Sequence, residues 1–397
     1  MALTPLSEAL ERILATAVAH PEREQISLNA AIDRYCAEAV NASIAVPPAD
    51  NSAMDGYAVA SGDVPGTLVV SQRVPAGSVP APLAAGTASR IFTGAEIPTG
   101  ADAVILQEDA TLESDRVSLP AARPGQHIRR RGDDIEPGDQ LVAEGQRLRA
   151  QDIGLLASVG IDTVSVFAPL IVAVLTTGDE LREPGSGSLA SGQIYNSNRF
   201  SLAAQIRALG MTVVDGGNLP DDPGQIGDAL ERAAEAADCI VTAGGVSVGE
   251  EDHVRGQIEE RGALDVWKLA IKPGKPLAFG QVCGTPIFGL PGNPVSAFVT
   301  FALVAKPWLI RRQGGVAVPS PRFPVKAGFN LPRPGTREEF LRVRLSGTGE
   351  AMRAHLTGSQ SSAVMTSLSE ADGVAVIAPG TTVAEGDWLE VIPLSAL

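Results

Sequence analysis

The sequence predicts a multidomain α/β plus β protein, in which a central three-layer α/β domain carries a mostly parallel sheet. Between residues 170 and 311, apolar segments typical of strands alternate with segments of helical periodicity. This alternation indicates a sheet that is covered by helices on both faces. Short strand-like segments separated by proline and glycine lie on either side of it. We therefore expect a small inserted β domain before the α/β domain and a C-terminal β domain after it.

The first third of the chain combines a helix with short strands. Thr4 and Pro5 predict a helix start, with threonine as the N-cap and proline in the first turn. From about residue 46 to 136, TLVVSQRV, SRIFTG and AVILQED predict short strands, and QRLRAQDIGLLASVGI then predicts a helix. The predicted domains are residues 1–45 with 137–167, the inserted β domain 46–136, the α/β domain 168–314 and the C-terminal β domain 318–397.

The α/β domain is predicted to consist of three strand–helix units and a last helix. The predicted strands are LIVAVLTTG, MTVVDGG and DCIVTAGG. The helices that follow them are SNRFSLAAQIRALG, PGQIGDALERAAEAA and EDHVRGQIEER, and a further helix starts at Asn293-Pro294 with asparagine as its cap. Beyond PSPRFP, EEFLRVRL and GVAVIAP predict strands of the C-terminal β domain.

Composition argues against several classes of protein. A net charge of −15 repels phosphate backbones, so we expect no nucleic-acid partner. The three cysteines are far apart and form no CxxC, which argues against a disulfide framework or a zinc site and favours a reducing compartment. The chain shows neither a signal peptide nor an apolar run that would span a bilayer. We expect a soluble cytoplasmic protein with no membrane partner.

Carboxylates follow three consecutive predicted strands of the α/β domain. They lie in TTGDEL, with Asp179 and Glu180, in NLPDDP, with Asp221 and Asp222, and in the acids of GEED, which end at Asp252. Because ligands bind beyond the carboxyl ends of such strands, these acids predict a Mg²⁺ site. In the same TAGGVSVGEED segment, glycines 244 and 245 would let a ligand approach the backbone. The alternative is a tight turn with acids that only stabilise the start of a helix.

Basic residues are close to these acids in the sequence. WKLAIKPGKP contains Lys268, Lys272 and Lys275, and the first two would share a face of one extended strand. Such a pair in an acidic chain predicts an oxyanion site, whereas the alternative is a solvated strand end with a turn. The fingerprints GxGxxG and GxxxxGK[ST] are absent, so neither a Rossmann dinucleotide site nor a P-loop is supported.

Eight motifs in order carry a resemblance to a known family. They are PPADNSAMDGYAV, RIFTGAEIPTGADAVI, RRRGDDI, TTGDEL, YNSN, GGVSVGEED, WKLAIKPGKP and GLPGNPVSAF. Together they closely resemble the molybdopterin molybdenumtransferases (MoeA) and the related E domain of gephyrin, from about residue 5 to 394. The resemblance implies insertion of molybdate into adenylylated molybdopterin with release of AMP, and a requirement for Mg²⁺. It also implies a four-domain homodimer whose α/β domain is similar to molybdopterin adenylyltransferases, which are candidate partners with other proteins of the pathway.

The resemblance also implies site residues. The matching catalytic positions are Asp55, Thr93, Asp134, Glu180, Asp222, Asp252, Lys268 and Lys272. Of these, Glu180, Asp222 and Asp252 are the expected metal ligands. The expected positions that bind the pterin ligand are Gly244, Gly245, Ser247, Pro291, Pro294, Arg342 and Ser362, with Ser359 and Ser361 as alternatives to Ser362. Because Asp55, Thr93 and Asp134 fall in the inserted β domain and the other catalytic positions in the α/β domain, we expect an active site shared between two subunits.

Two other functions are compatible with parts of the pattern. Adenylyl transfer to molybdopterin would use the α/β domain, although such enzymes consist essentially of that domain alone. A gephyrin-like scaffold would bind a receptor peptide and would not need the carboxylates and lysines, all of which this chain has.

Overall fold

The computed structural model describes residues 3–19, 22–245 and 253–397. The α/β domain contains a six-stranded sheet. Its strands, in spatial order, are Thr212–Leu219, Ile171–Thr177, Cys239–Ala243, Thr285–Leu290, Pro276–Val282 and Gly262–Lys268. The first four pair in parallel and the last two join antiparallel, so the sheet is mostly parallel, as predicted.

Helices cover both faces of this sheet. They are Asn198–Arg207, Pro223–Ala236, His253–Arg261 and the continuous helical stretch Pro294–Thr300, Phe301–Ala305 and Lys306–Arg312, whose middle part is a π-helix. Val172 and Val174 of the strand Ile171–Thr177 pack into one core, and Ala173 and Leu175 pack into another. Alternate residues of a strand point to opposite faces of the sheet. The two cores therefore lie between the sheet and the helices on either side of it, as in a three-layer domain.

The stretch Pro294–Arg312 is the one candidate within the described ranges that could cross a membrane by length and composition alone. Most of it is buried in the protein core. The ring of Trp308 packs edge-on against Phe288, with centroids 5.4 Å apart, and its Nε1 donates to Thr16 Oγ1 at 3.0 Å. The apolar surface of this helix is therefore covered by the α/β domain and the N-terminal helix.

The N-terminal helix begins later than predicted. It spans Leu6–Ala15, Pro5 takes the N-cap position, and no side chain caps it, so the prediction of Thr4 as the N-cap is wrong. The Thr4 amide donates to Lys268 O at 2.9 Å, and Thr4 O accepts from Ala270 N at 2.7 Å. Because the backbone of Thr4 forms a bridge to the α/β domain, it is extended and lies outside the helix.

Short paired strands complete the N-terminal part. Arg23–Ser27 pairs with Thr163–Phe167, and Val40–Asn41 pairs with Gln140–Val142. The helix predicted from QRLRAQDIGLLASVGI is confirmed at Ala150–Ser158. These segments of both halves of the N-terminal part share a core that includes Leu28, Leu148, Leu156 and Val166.

The inserted segment forms a six-stranded sheet. In spatial order its strands are Ala103–Leu106, Gly56–Val59, Thr87–Ile91, Gly66–Val74, Arg116–Leu119 and Thr111–Glu113. A separate pair, Asn51–Ser52 with Ile128–Arg129, lies where the chain enters and leaves it. The three strands predicted here are confirmed.

The C-terminal segment forms a barrel-like sheet. Its strands, in spatial order, are Ile271–Lys272, Glu338–Ser346, Arg353–Leu356, Phe323–Ala327, Trp388–Pro393 and Gly373–Ile377, with a short helix at Met365–Ser369. Gly373–Ile377 also pairs with Glu338–Ser346, which closes the sheet. The first strand, Ile271–Lys272, comes from the α/β part of the sequence and pairs in parallel with Glu338 and Glu339. The backbone therefore links the two domains at this point.

Candidate active site

A cleft of about 1120 Å³ lies at the carboxyl ends of the parallel strands. Thr177 and Ala243 end two of these strands and line the cleft, and Pro291 follows a third. The opposite wall comes from the barrel-like domain, through Arg337 and the segment 360–363. Since ligands of open α/β sheets bind at this edge, the cleft is the candidate active site.

Two glycines follow the strand Cys239–Ala243, and the first of them, Gly244, lines the cleft. Gly244 and Gly245 have φ values of +95° and +64°, which favour glycine. A Cβ atom on Gly244 would lie 2.9 Å from the carbonyl oxygen of Thr177, and one on Gly245 would lie 2.9 Å from Thr177 Oγ1. The turn is therefore restricted to glycine because it packs closely against Thr177, and the approach of a ligand to this backbone stays a prediction. Ser247 and Asp252, predicted in the same segment, lie outside the described residues.

Cationic side chains outnumber carboxylates among the described residues that line the cleft. Lys272, Lys275 and Arg337 line it, and Glu180 is the one carboxylate that does so among the residues described. Lys272 Nζ lies 3.2 Å from Glu339 Oε2, and Arg337 Nη1 donates to Ile271 O at 2.9 Å. In a chain with a net charge of −15, this local positive charge suits an anionic ligand.

Lys268 lies outside the cleft, contrary to the prediction that it shares a strand face with Lys272. It ends the strand Gly262–Lys268 opposite Pro276, whereas Lys272 belongs to the barrel-like sheet. Leu269 is fully buried and separates the two strands. The chain changes sheets here, where the backbone of Thr4 binds Lys268 O and Ala270 N and the amide of Leu269 donates to Lys275 O.

Carboxylates at the ends of two strands do meet, but most of them bind local backbone. The amide of Asp221 donates to Asp179 Oδ1 at 3.1 Å, and the amide of Asp179 donates to Asp221 Oδ2 at 3.3 Å. Asp222 Oδ1 accepts from Gln225 N at 2.8 Å and caps the helix Pro223–Ala236. Within the described part of the chain, no group of three acidic, histidine or cysteine side chains is arranged to hold a metal.

The predicted prolines line the cleft together with the turn between them. Pro291 and Pro294 flank Gly292, whose carbonyl accepts from Asn198 Nδ2 at 2.6 Å. Asn293 takes the N-cap position but makes no side-chain capping bond, so its predicted capping bond is absent here. The turn is held to the neighbouring helix through Asn198 and stays open toward the cleft.

Arg342 supports the cleft wall from below. The residue is 1% exposed, and burial lowers the pKa of its guanidinium. Its side chain donates to Ser361 O at 3.0 Å, Ser359 O at 3.3 Å and Ser367 Oγ at 3.2 Å. Ser362 and Ser361 line the cleft in the segment that Arg342 holds, whereas Ser359 does not line it. Arg342 therefore orders this segment without lining the cleft itself.

Asp55 and Thr93 meet in the inserted β domain. The amide and the hydroxyl of Thr93 both donate to Asp55 Oδ1 at 2.7 Å, and these bonds, with the charge of Arg90, lower the pKa of Asp55. Asp134 is exposed, and its amide donates to Val46 O at 3.0 Å. None of the three lines the cleft, because the described residues that line it all lie between Thr177 and Met365.

Some cleft residues were missed by the sequence reasoning. Arg337 and Gln360 were not singled out, and Asn198 was quoted only within YNSN and the predicted helix SNRFSLAAQIRALG. Asn198 belongs to a helix and Gln360 to a loop, and both line the cleft. The side-chain amide of Gln360 binds the backbone of Arg342. An arginine before the strand EEFLRVRL was the available signal for Arg337, but its position depends on contact with Ile271, 66 residues away.

Known proteins with the same arrangement identify the family. Residues 4–160 match the MoeA N-terminal region (domain I and II), residues 173–311 a probable molybdopterin binding domain and residues 324–394 the MoeA C-terminal region (domain IV). A molybdopterin molybdenumtransferase of Haemophilus influenzae is 41% identical over 345 residues, 85% of each chain. One from Nostoc is 35% identical over 91% of this chain and 86% of its own.

Solved structures agree with these matches. A molybdopterin biosynthesis MoeA protein from Pyrococcus horikoshii superposes with a TM-score of 0.85 and 28% identity, over 99% of this chain and 100% of its own. A second structure of a MoeA protein from that organism gives a TM-score of 0.80 and 35% identity, over 99% of both chains. The chain belongs to the MoeA family of molybdopterin molybdenumtransferases, which are transferases of molybdenum cofactor biosynthesis.

Proposed function

We propose that this chain inserts molybdate into adenylylated molybdopterin in the cleft and releases AMP. The observation that carries the proposal is that, among the residues described, Lys272, Lys275 and Arg337 outnumber Glu180 along the cleft of a strongly acidic chain. Molybdate and the adenylylated pterin are both anions, so each needs local positive charge in order to bind. The cleft volume of about 1120 Å³ exceeds the roughly 300–1,000 Å³ typical of small-molecule sites, which leaves room for both substrates.

The cationic side chains of the cleft would bind the two anionic substrates and stabilise charge during the reaction. The ammonium groups of Lys272 and Lys275 and the guanidinium of Arg337 attract the oxyanions and oppose the charge that collects as the anhydride breaks. At Gly244, which lines the cleft, the absence of a side chain lets the ligand reach the backbone. Attack by a water oxygen splits the phosphoanhydride and gives AMP and the pterin phosphate. Molybdate then exchanges one oxo ligand for the two pterin sulfurs, and this oxygen leaves as water with the two thiol protons.

A magnesium ion is part of this proposal. The Glu180 carboxylate, which lines the cleft, is a donor that suits a hard cation. Asp222 does not line the cleft, and its helix cap uses Oδ1 and leaves Oδ2 for an ion. Glu180 and Asp222 would hold the ion together with Asp252, which lies outside the described residues. When bound, the ion would polarise the phosphoanhydride.

We extend the proposal to a homodimer with a shared active site. Asp55 and Thr93 are joined by two short hydrogen bonds, yet neither lines the cleft of its own chain. A twofold dimer brings the inserted domain of one subunit to the cleft of the other. A molybdopterin adenylyltransferase would then supply the adenylylated substrate. The free cysteines 36, 239 and 283 support the cytoplasm as the compartment.

The test of this proposal is a reaction with purified protein. We expect AMP release from adenylylated molybdopterin that depends on added molybdate and Mg²⁺, with formation of a molybdenum cofactor that activates a cofactor-free molybdoenzyme. With ATP and molybdopterin instead, we expect no pyrophosphate. Release of pyrophosphate would indicate an adenylyltransferase, and absence of both reactions would support a scaffold.

A further inference from the structure

A carboxylate of the barrel-like domain lies beneath one wall of the cleft. Glu339 is 7% exposed, and its Oε2 lies 3.2 Å from the ammonium nitrogen of Lys272. Its other carboxylate oxygen packs over Gly335, where a Cβ atom would lie only 2.3 Å from Oε1. The carboxylate therefore contacts the Lys272 ammonium with one oxygen and packs with the other against Gly335, where any side chain would collide with it.

The backbone fixes the same two residues against each other. Ile271 and Lys272 pair in parallel register with Glu338 and Glu339, and the amide of Glu338 donates to Ala270 O at 2.8 Å. Arg337 lines the cleft and donates to Ile271 O. The short strand Ile271–Lys272 is thus held by the backbone and one side chain of the barrel-like domain, next to the cleft.

We propose that Glu339 is a positioning residue, which acts on the reaction only through Lys272. The Lys272 side chain is 48% exposed, and a lysine has a flexible four-carbon stem whose freedom must be lost when it binds an anion. The buried carboxylate fixes the ammonium at the cleft wall before molybdate arrives. This inference rests on the proposed role of Lys272 in molybdate binding and extends it to a residue of a different domain.

Because of this pairing, Lys272→Ala should affect the stability of the protein as well as molybdate binding. Lys272→Ala would leave the buried carboxylate of Glu339 without its cation, and uncompensated buried charges are strongly destabilising. Part of the damage would therefore come from Glu339 and would disappear when that charge is removed too. We expect Lys272→Ala to lower Tm and the additional change Glu339→Gln to raise it again.

A double-mutant cycle tests the inference with molybdate as the titrated substrate. In the wild type, Glu339→Gln should lower kcat/KM for molybdate about fivefold, whereas with Lys272→Ala present the same change should alter it by less than about twofold. Lys275→Ala is the matched control background, because it removes a cation from the cleft but leaves the ion pair between Lys272 and Glu339 intact. There, Glu339→Gln should again cost about fivefold. Glu338→Gln, on the adjacent residue, should leave turnover unchanged.

The results separate this inference from the proposed function. Equal losses from Glu339→Gln with Lys272 present and absent, or no loss with it present, would overturn the positioning role. Should Glu339→Gln prevent folding of the otherwise wild-type chain, the Tm comparison decides. No recovery of Tm in Lys272→Ala/Glu339→Gln over Lys272→Ala would then reject the pairing. If the wild type shows no molybdate-dependent release of AMP, it is the proposed function that fails.

Discussion

Glu180→Gln is expected to lower kcat/KM for adenylylated molybdopterin by at least about a hundredfold, which is typical of the loss of a carboxylate that acts at the reacting groups. Among the residues described, Glu180 is the one acid that lines the cleft. Glutamine keeps the size of the side chain but removes its charge and one strong oxygen ligand. Steady-state release of AMP over a range of Mg²⁺ concentrations measures the effect.

A neighbouring acid gives the control for this substitution. Asp221 follows the adjacent strand and caps the amide of Asp179, but it does not line the cleft. Asp221→Asn keeps an oxygen acceptor for that amide, so turnover should remain within about twofold of the wild type. The assignment of Glu180 fails if Glu180→Gln keeps near-normal turnover, or if both substitutions cost the same.

The second large effect is recovery of activity in mixed dimers. Asp55→Ala and Glu180→Ala should each be inactive as homodimers. Both chains of such a dimer carry the same substitution, so each of its two sites lacks that residue. After the two variants are unfolded together and refolded, each heterodimer should contain one site with both changes and one site with neither. If half of the dimers are heterodimers, about one quarter of the wild-type activity should return.

The measurement is AMP release by the refolded mixture, with each variant refolded alone as the control. Size-exclusion chromatography should show that both variants remain dimers. A mixture that stays inactive although heterodimers have formed would show that each site is built within one chain. Dimerisation would then not be needed to complete the active site.

Much of the α/β domain could be predicted because its pattern is local. Strands such as Cys239–Ala243 are continuous apolar runs, and helices such as Pro223–Ala236 begin with a cap and a proline. The failures at Thr4 and in WKLAIK have one cause. The backbone of Thr4 pairs with Lys268 and Ala270, and no periodicity within either segment reveals that partner.

The site could be predicted in part for a similar reason. Glu180 and Pro291 both line the cleft at the carboxyl edge of the parallel sheet, where chain order places strand ends together. Lys272 lines the same cleft from a strand of the barrel-like sheet, which chain order alone does not indicate. The motifs could not show that Arg342 is buried below the cleft while Arg337, five positions earlier, lines it. Alternation along a strand does not show which of the two arginines lines the cleft. That depends on the pairing of Ile271 and Lys272 with Glu338 and Glu339, which joins the two domains.

Anomalous diffraction from molybdenum is the most direct test of the central claim that this cleft binds the substrates of molybdate insertion. Crystals grown with molybdate and AMP would be measured at the molybdenum absorption edge. We predict an anomalous peak inside the cleft in contact with Lys272 or Arg337, with the AMP phosphate in the same cleft. Molybdenum peaks that lie only outside the cleft, in crystals where the cleft is open to solvent, would contradict the account.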